Sequence, residues 1–308
     1  MMHLRMTHRP RCRLRVDVQA PRTMALCAVL VFGVLFAPAA GGAKRSAPWW
    51  SRTFEPPEKL PAAYPFCCGT LWDTLLLSAT SAGAIVSDPA NAGNHSFAAH
   101  VGPNNGRDFA DWALLTQNAE TSRGRQGRSI WLRLRMYFPR GFKPSGYTAG
   151  QVDSEWNWLT EFHESGDWRN QCPGEDPASI ELGVLNTRAP RAAPNPRFRL
   201  HLVGGVQSRS NCMPNLRRVD GPRVRLAHWY TILQHVVFAP DRSGLVQIWI
   251  DGRRMASVHF PTMYRHPDGS VGRYYFDFGY YRLRSSWDAT VLYDNVAEGP
   301  TRAAVKPR

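Results

Sequence analysis

Three segments concentrate side chains able to move protons or hold charge: Gln117-Asn-Ala-Glu120, Trp156-Asn-Trp-Leu-Thr-Glu-Phe-His163 and Tyr275-Phe-Asp-Phe-Gly-Tyr-Tyr-Arg282. Imidazole, phenol and carboxyl groups together cover general acid and base work. Spacing decides which of them can act together. Alternate residues of a strand share a face, so Glu161 stands with His163, and Asp277 stands with Tyr281 four positions on. The carboxyl groups of Glu161 and Asp277 also offer a second chemistry, the acid and the nucleophile or base of a glycoside hydrolase.

The elements that must position these groups are strands. Ile130, Leu132, Leu134 and Met136 alternate with Trp131, Arg133, Arg135 and Tyr137. Trp156, Trp158, Thr160 and Phe162 alternate with Asn157, Leu159, Glu161 and His163. The same period recurs at Leu200 and Leu202, at Val246, Ile248 and Ile250, and at Tyr274, Phe276, Phe278 and Tyr280. Strict alternation marks half-buried strands. Asp251-Gly252, Asp268-Gly269, Arg242-Ser-Gly244 and Gly204-Gly205 supply turns between the runs. Long helical periodicity is almost absent. The pattern predicts an all-β fold in a single domain: a sandwich of two antiparallel sheets, a jelly roll or a barrel. One face of several strands is polar yet rich in rings: Trp131 with Arg133 and Arg135, Glu161 with His163, and Tyr275 with Asp277 and Tyr281. Rings stack on sugar C–H faces and polar groups take hydroxyls, so such a face suits a glycan groove.

Met1 to Arg22 carries six arginines and one acid, followed by the uncharged apolar run Ala25–Ala37 and the small residues Ala39–Ala43. This order describes a secretory signal peptide over residues 1–43. The run is short for a bilayer span, so no stable membrane insertion is expected after cleavage. The protein is expected outside the cytoplasm. Residues 44–65 are Pro-rich and read as a strap or linker, 66–300 as the domain, and 301–308 as a disordered tail. The formal net charge is +14, and roughly +9 without the leader. A basic balance suits a polyanionic partner. Four cysteines remain after the leader: Cys67, Cys68, Cys172 and Cys212. Export favours disulfides. Cys172 and Cys212, both in loop-like settings, are predicted to pair, while the adjacent Cys67 and Cys68 are left unassigned. No paired C-x₂-C spacing indicates zinc.

Residues 105–300 resemble the jelly-roll polysaccharide lyases of the heparin lyase I and alginate lyase type. The segments that carry the resemblance are His228-Trp-Tyr-Thr-Ile-Leu-Gln-His-Val-Val-Phe238, Val246-Gln-Ile-Trp-Ile-Asp-Gly252, Tyr275-Phe-Asp-Phe-Gly-Tyr-Tyr-Arg282 and Val291-Leu-Tyr-Asp-Asn-Val296. The resemblance implies a concanavalin-like sandwich and a β-elimination on an acidic, uronate-containing polysaccharide. It assigns proton transfer to His163 and Tyr281. The family's remaining positions hold the substrate carboxylate, and here the chain departs from the pattern. Glu161 stands for a Gln, Asp277 for a Lys and Asn118 for an Arg, with Glu120 kept. Two ionised acids would repel a uronate. The candidate remedies are positive charge from Arg133, Arg135, Arg282 or Arg284, or a protonated acid, since crowded carboxyl groups raise each other's pKa.

The expected substrate-binding set is therefore Glu161, Asp277, Asn118, Arg133, Arg135, Trp131 and Arg282. No cofactor or catalytic metal is expected, and a structural calcium is compatible with the fold. No nucleic-acid motif accompanies the dispersed arginines, and a monomer is expected. Two alternatives stay open. A carbohydrate-binding sandwich without turnover would use Trp131, Trp156, Trp168 and Tyr280 as platforms. A hydrolase would use Glu161 and Asp277, although the Glu-x-Asp-x-x-Glu string of laminarinase-type sandwiches does not occur.

Overall fold

A computed structural model describes residues 47–61, 63–64, 74–104, 110–117, 123–145, 157–165, 178–186, 196–208, 210–283 and 285–306. They form the strands β1 (Trp50–Arg52), β2 (Ala63–Tyr64), β3 (Thr74–Leu77), β4 (Ser81–Asp88), β5 (Asn91–Val101), β6 (Ala110–Thr116), β7 (Ser129–Phe138), β8 (Asn157–Ser165) and β9 (Ile180–Asn186). The chain continues through β10 (Pro196–Val206), β11 (Asn215–Arg223), β12 (His228–Val237), β13 (Leu245–Ile250), β14 (Arg253–His259), β15 (Tyr264–Arg265), β16 (Arg273–Leu283) and β17 (Ala289–Gly299).

Two sheets result. One has eight strands in the order β14-β13-β12-β7-β17-β5-β4, with β1 added to β17. The other has nine, in the order β11-β10-β9-β8-β16-β6-β3-β2, with β15 added to β10. The ladders are antiparallel except for the short β2–β3 and β10–β15 contacts. This is the expected jelly-roll sandwich.

Apolar residues at every second position face between the sheets. From β16 these are Tyr274, Phe276, Phe278 and Tyr280, and from β7 Ile130, Leu132, Leu134 and Met136. Rings weld the layers. Phe278 lies 6.1 Å from Phe97, 5.5 Å from Tyr293 and 6.1 Å from Trp50. A buried phenylalanine in such a cluster is worth about 3–5 kcal/mol against alanine. Its neighbour Gly279 has φ +148°, and a Cβ there would come within 2.1 Å of the Ala113 carbonyl oxygen. At this point the β16–β8 register shifts by one residue, so only glycine lets the strands close.

Bulges change two expectations. Against β9, β8 carries an extra residue between Trp158 and Thr160. Leu159 enters the core, Thr160 Oγ1 accepts from Gln234 Nε2 at 2.8 Å inside it, and Trp158 turns to the outer face against His201. Simple alternation had put Trp158 with the core set. The C-terminal segment is also ordered over residues 301–306. Val305 is fully buried, and its carbonyl accepts a 2.5 Å hydrogen bond from Arg133 Nε, which docks a stretch expected to fray. At the other end, β1 of the Pro-rich segment pairs with β17, Phe54 is buried, and Glu58 Oε2 accepts from the Phe54 amide at 2.8 Å.

Residues 1–43, Cys67, Cys68, Asn118, Glu120, Trp156, Trp168, Cys172 and Arg284 lie outside the described residues. No helix among the described residues is long and apolar enough to cross a membrane.

Candidate active site

Strands β6, β16, β8, β9 and β10 lie side by side, and the residues that alternate with their core positions form one outer face. The pairing register arranges this face in three rows. Thr116, Asp277, Glu161, Glu181, His201 and Arg218 follow one another across the central row. On one side His163 pairs with Tyr275. On the other Trp112, Tyr281, Trp158 and Gly183 form the third row. His163 and Tyr281 therefore flank the carboxyl row from opposite sides. At about 3.3 Å per residue, the His163 backbone stands ~7 Å from the row and that of Tyr281 ~13 Å.

The His163 ring stacks on Tyr275 with centroids 5.5 Å apart. Its Nδ1 lies 3.0 Å from the Glu164 carbonyl oxygen. A carbonyl only accepts, so Nδ1 carries the hydrogen and Nε2 the basic lone pair. The Glu164 side chain anchors the same strand end. Its Oε1 is 2.8 Å from His266 Nε2, His266 Nδ1 is 2.8 Å from Gln207 Oε1, and Gln207 Nε2 donates to the Cys212 carbonyl at 3.0 Å. The Tyr281 ring meets Trp112 edge-on at 6.0 Å. Behind it, Tyr280 points inward and its hydroxyl donates to Asn157 Oδ1 at 2.7 Å. Burial pushes the Tyr280 phenol up, so Tyr280 is a core group and not a sugar platform.

The carboxyl row is the electrostatic centre. Asp277, Glu161 and Glu181 are 3%, 5% and 4% exposed. Burial first, then the neighbouring charges of Glu181 and Asp277, hold the Glu161 carboxyl well above its ordinary value. The surroundings of Glu161 thus favour its protonated form. Glu181 is bonded to His201 Nδ1, and Trp158 stacks on the His201 ring with centroids 5.4 Å apart.

The structure places four of the predicted residues on one face: His163, Tyr281, Glu161 and Asp277. It removes four others. Trp131, Arg133 and Arg135 belong to β7 in the eight-stranded sheet. Trp131 stacks on His235 at 4.2 Å and lies 5.6 Å from Trp249. Arg133 is spent on the Val305 carbonyl, and Arg135 pairs with Asp294 at 3.2 Å across the Trp229 ring. Arg282 points inward, fully buried, and donates to the carbonyls of Val101, Gly102 and Trp287. None of these guanidinium groups reaches the carboxyl row. Glu181, His201 and Trp158 complete the face and were not singled out in the sequence. The alternation of Glu181 with Ile180 and Leu182, and of His201 with Leu200 and Leu202, is the signal that finds two of them. Among the described residues, no group of three or more His, Cys, Asp or Glu side chains is arranged to hold a metal ion.

Comparison with known proteins bears on the chain as a whole. The sequence profile of the family described as Polysaccharide lyase matches residues 69–297. Among solved structures the chain is similar to an endo-β-1,4-glucuronan lyase from the fungus Trichoderma reesei. That likeness has 18% identity and a TM-score of 0.58, over 76% of this chain and 93% of that one. It is also similar to the alginate lyase vAL-1 from Chlorella virus, at 11% identity and a TM-score of 0.46, over 72% of this chain and 90% of that one. No curated protein matches the chain.

Proposed function

The chain belongs to the polysaccharide lyase family, and from that premise we propose that it is exported and cleaves an acidic, uronate-containing polysaccharide by β-elimination on the outer face of the nine-stranded sheet. A sugar unit lies over the Glu161–Asp277 pair. His163 Nε2 takes the proton from the carbon beside the uronate carboxyl group. The electron pair of that C–H bond forms a carbon–carbon double bond as the bond from the next carbon to the glycosidic oxygen breaks. In this reading Tyr281, from the other side of the carboxyl row, gives its proton to the departing oxygen.

The observation that carries this reading is the shared face: an imidazole whose Nδ1 faces a backbone carbonyl, a phenol, and between them a carboxyl group whose pKa burial raises. In this reading a protonated Glu161 answers the departure from the family's Gln. A neutral carboxyl has the shape of glutamine and one O–H to donate to the uronate carboxylate. An ionised acid at ~4 Å would instead cost up to about 4 kcal/mol at an effective dielectric near 20. Lowering the acidity barrier by donors aimed at developing charge is the principal work of such a site. Export is supported by the basic start and the apolar run Ala25–Ala37. A Cys172–Cys212 disulfide belongs to the same reading, since export favours disulfides.

A panel of acidic polysaccharides tests the proposal, with glucuronan and alginate first because similar structures are lyases of those polymers by name. The expected result is new ultraviolet absorbance from an unsaturated uronate end. New reducing ends without that absorbance would assign Glu161 and Asp277 to hydrolysis. Binding without either product would leave a carbohydrate-binding protein.

A further inference from the structure

We propose a second binding site, for one acidic sugar unit, in the cavity between the edges of the two sheets where Arg217, Arg242 and His259 converge. The proposal rests on the acidic-polysaccharide reading of the substrate and places a distal part of the same polymer.

The cavity measures about 220 Å³ and is lined by residues of β11, of the β12–β13 turn and of the chain leaving β14. Strand β11 is the edge of the nine-stranded sheet and β14 the edge of the eight-stranded one, so the cavity opens at the side of the sandwich. Its volume is below the range of sites that enclose drug-sized ligands and suits a single ring of a longer chain.

Three features define its ligand. First, Arg217, Arg242 and His259 have no ion-pair or side-chain hydrogen-bond partner among the described residues. Arg52, Arg135 and Arg199 elsewhere are each paired with an acid. The acid beside Arg242 in the chain is Asp241. Its Oδ1 is taken by the Ser243 amide at 2.8 Å and hydroxyl at 2.5 Å. Second, part of the lining is apolar. Leu216 is 46% exposed, and Phe260 and Pro261 also border the cavity. Unpaired cations beside an apolar lining match a pyranose that presents one C–H face and one carboxylate, and Arg takes a carboxylate with two parallel hydrogen bonds. Third, the frame is built in advance. Phe260 donates to Gly244 at 3.0 Å, and a Cβ on Gly244 would come within 2.2 Å of the Phe260 carbonyl oxygen. Asn215 Nδ2 donates to the Gly204 carbonyl at 2.8 Å. The turn bearing Arg242 and the strand start bearing Arg217 are therefore pinned before any ligand arrives, which lowers the ordering cost of binding.

The cavity also lies on a path from the carboxyl row. Glu161, Glu181, His201 and Arg218 succeed one another on β8, β9, β10 and β11, three strand spacings or ~14 Å. Arg217 is the next residue and by alternation points to the other side of this edge strand, so a polymer crossing the strands from Glu161 reaches it by passing over the edge. Holding it at two points raises the effective concentration of the rest of the chain, so the site acts on long substrates and not on short ones.

Two measurements test the proposal. The first follows the His259 side-chain NMR signal while sodium glucuronate, glucose or sodium phosphate is added to the full chain. The expected result is a saturable shift with glucuronate, a smaller one with phosphate, none with glucose, and none for glucuronate with the R217A/R242A variant. Equal shifts with glucuronate and phosphate mean an anion site without a sugar floor, and overturn the proposal. So do no shift at all and displacement of glucuronate by a far tighter single-stranded oligothymidylate, which would mean a nucleic-acid site. The second compares KM for polymer and tetrasaccharide. R217A/R242A is expected to raise KM about tenfold on the polymer, with kcat and the tetrasaccharide KM unchanged. An unchanged polymer KM overturns the proposal and leaves the lyase reading intact. A glucuronate shift in a protein that forms no unsaturated product keeps this site and ends the lyase reading.

Discussion

The outer faces of the two sheets have similar composition and opposite character. Each carries rings, histidine, acids and arginines at alternate positions. On the eight-stranded sheet these groups satisfy one another. Trp131 is packed on His235 and Trp249, Arg302 sits over the Trp249 ring, Arg135 meets Asp294, and Arg133 holds the docked C-terminal segment. On the nine-stranded sheet three acids stand in adjacent strands, Glu181 is bonded to His201, and burial followed by the neighbouring carboxyl groups raises the Glu161 pKa. A solvated face neutralises its charges in pairs, whereas a reactive face concentrates one kind and shifts their titration.

The sharpest test of that contrast removes one hydroxyl. Tyr281→Phe is expected to lower kcat by about 10³-fold, within the range for a general acid, while oligosaccharide binding measured by calorimetry is retained. Trp131→Phe on the other sheet is expected to leave kcat within about twofold. If the two variants lose activity equally, the faces are not functionally distinct.

A second test compares buried carboxyl groups. Glu298 points into the sandwich from β17 and is fully buried. Burial, partly opposed by Gln117 and Arg123, raises its pKa to about 7. The unfolded chain releases this proton above its ordinary pKa of 4.5, while the folded chain holds it. Stability therefore falls as pH rises between about 4.5 and about 7, and is flat above. At 1.36 kcal/mol per unit the loss is roughly 3 kcal/mol. Glu298→Gln should recover most of it at pH 8 and nothing at pH 4 in denaturant titrations, with no change in the pH–rate profile.

Glu161 should respond in the opposite observable. If its proton is needed to meet the substrate carboxylate, turnover falls as pH rises through its raised pKa. Glu161→Gln keeps the donor and cannot ionise. The variant is expected to retain activity at low pH and to lose that alkaline fall, with a gain of about tenfold one unit above the midpoint. An unchanged pH profile would remove the neutral acid from the mechanism.

Much of this was legible in the residues. Alternation and turn signals specify an all-β sandwich, and the parity of Phe276 and Phe278 against Asp277 and Tyr281 places core and site on opposite sides of β16. Alternation encodes the side of a strand but not its partner. Arg133 and Arg135 have the same pattern as Glu161 and His163, and only long-range pairing assigns them to different sheets. Bulges are equally silent. Leu159 and Thr160 both turn inward in a run that reads as strictly alternating, which moves Trp158 onto the functional face. Val305 gives no sign of docking, because its binding partner is an arginine 172 positions earlier in the chain.

The smallest expected effect tests whether the eight-stranded face is structural. Asp294 is almost fully buried, and burial raises its pKa while Asn295 and Arg135 oppose that rise. Arg135 is itself 30% exposed on its side chain, so solvent screens the pair and its worth is about 1 kcal/mol or less. Arg135→Ala should cost about that much at pH above the raised pKa of Asp294. It also lets the Asp294 pKa climb further. A protonated Asp294 has no charge to pair, so the deficit should shrink as pH falls through that pKa. Turnover should stay within about twofold throughout. Loss of activity without loss of stability would mean that this arginine contributes to substrate binding after all, and that composition, more than the pairing of charges, distinguishes the two faces.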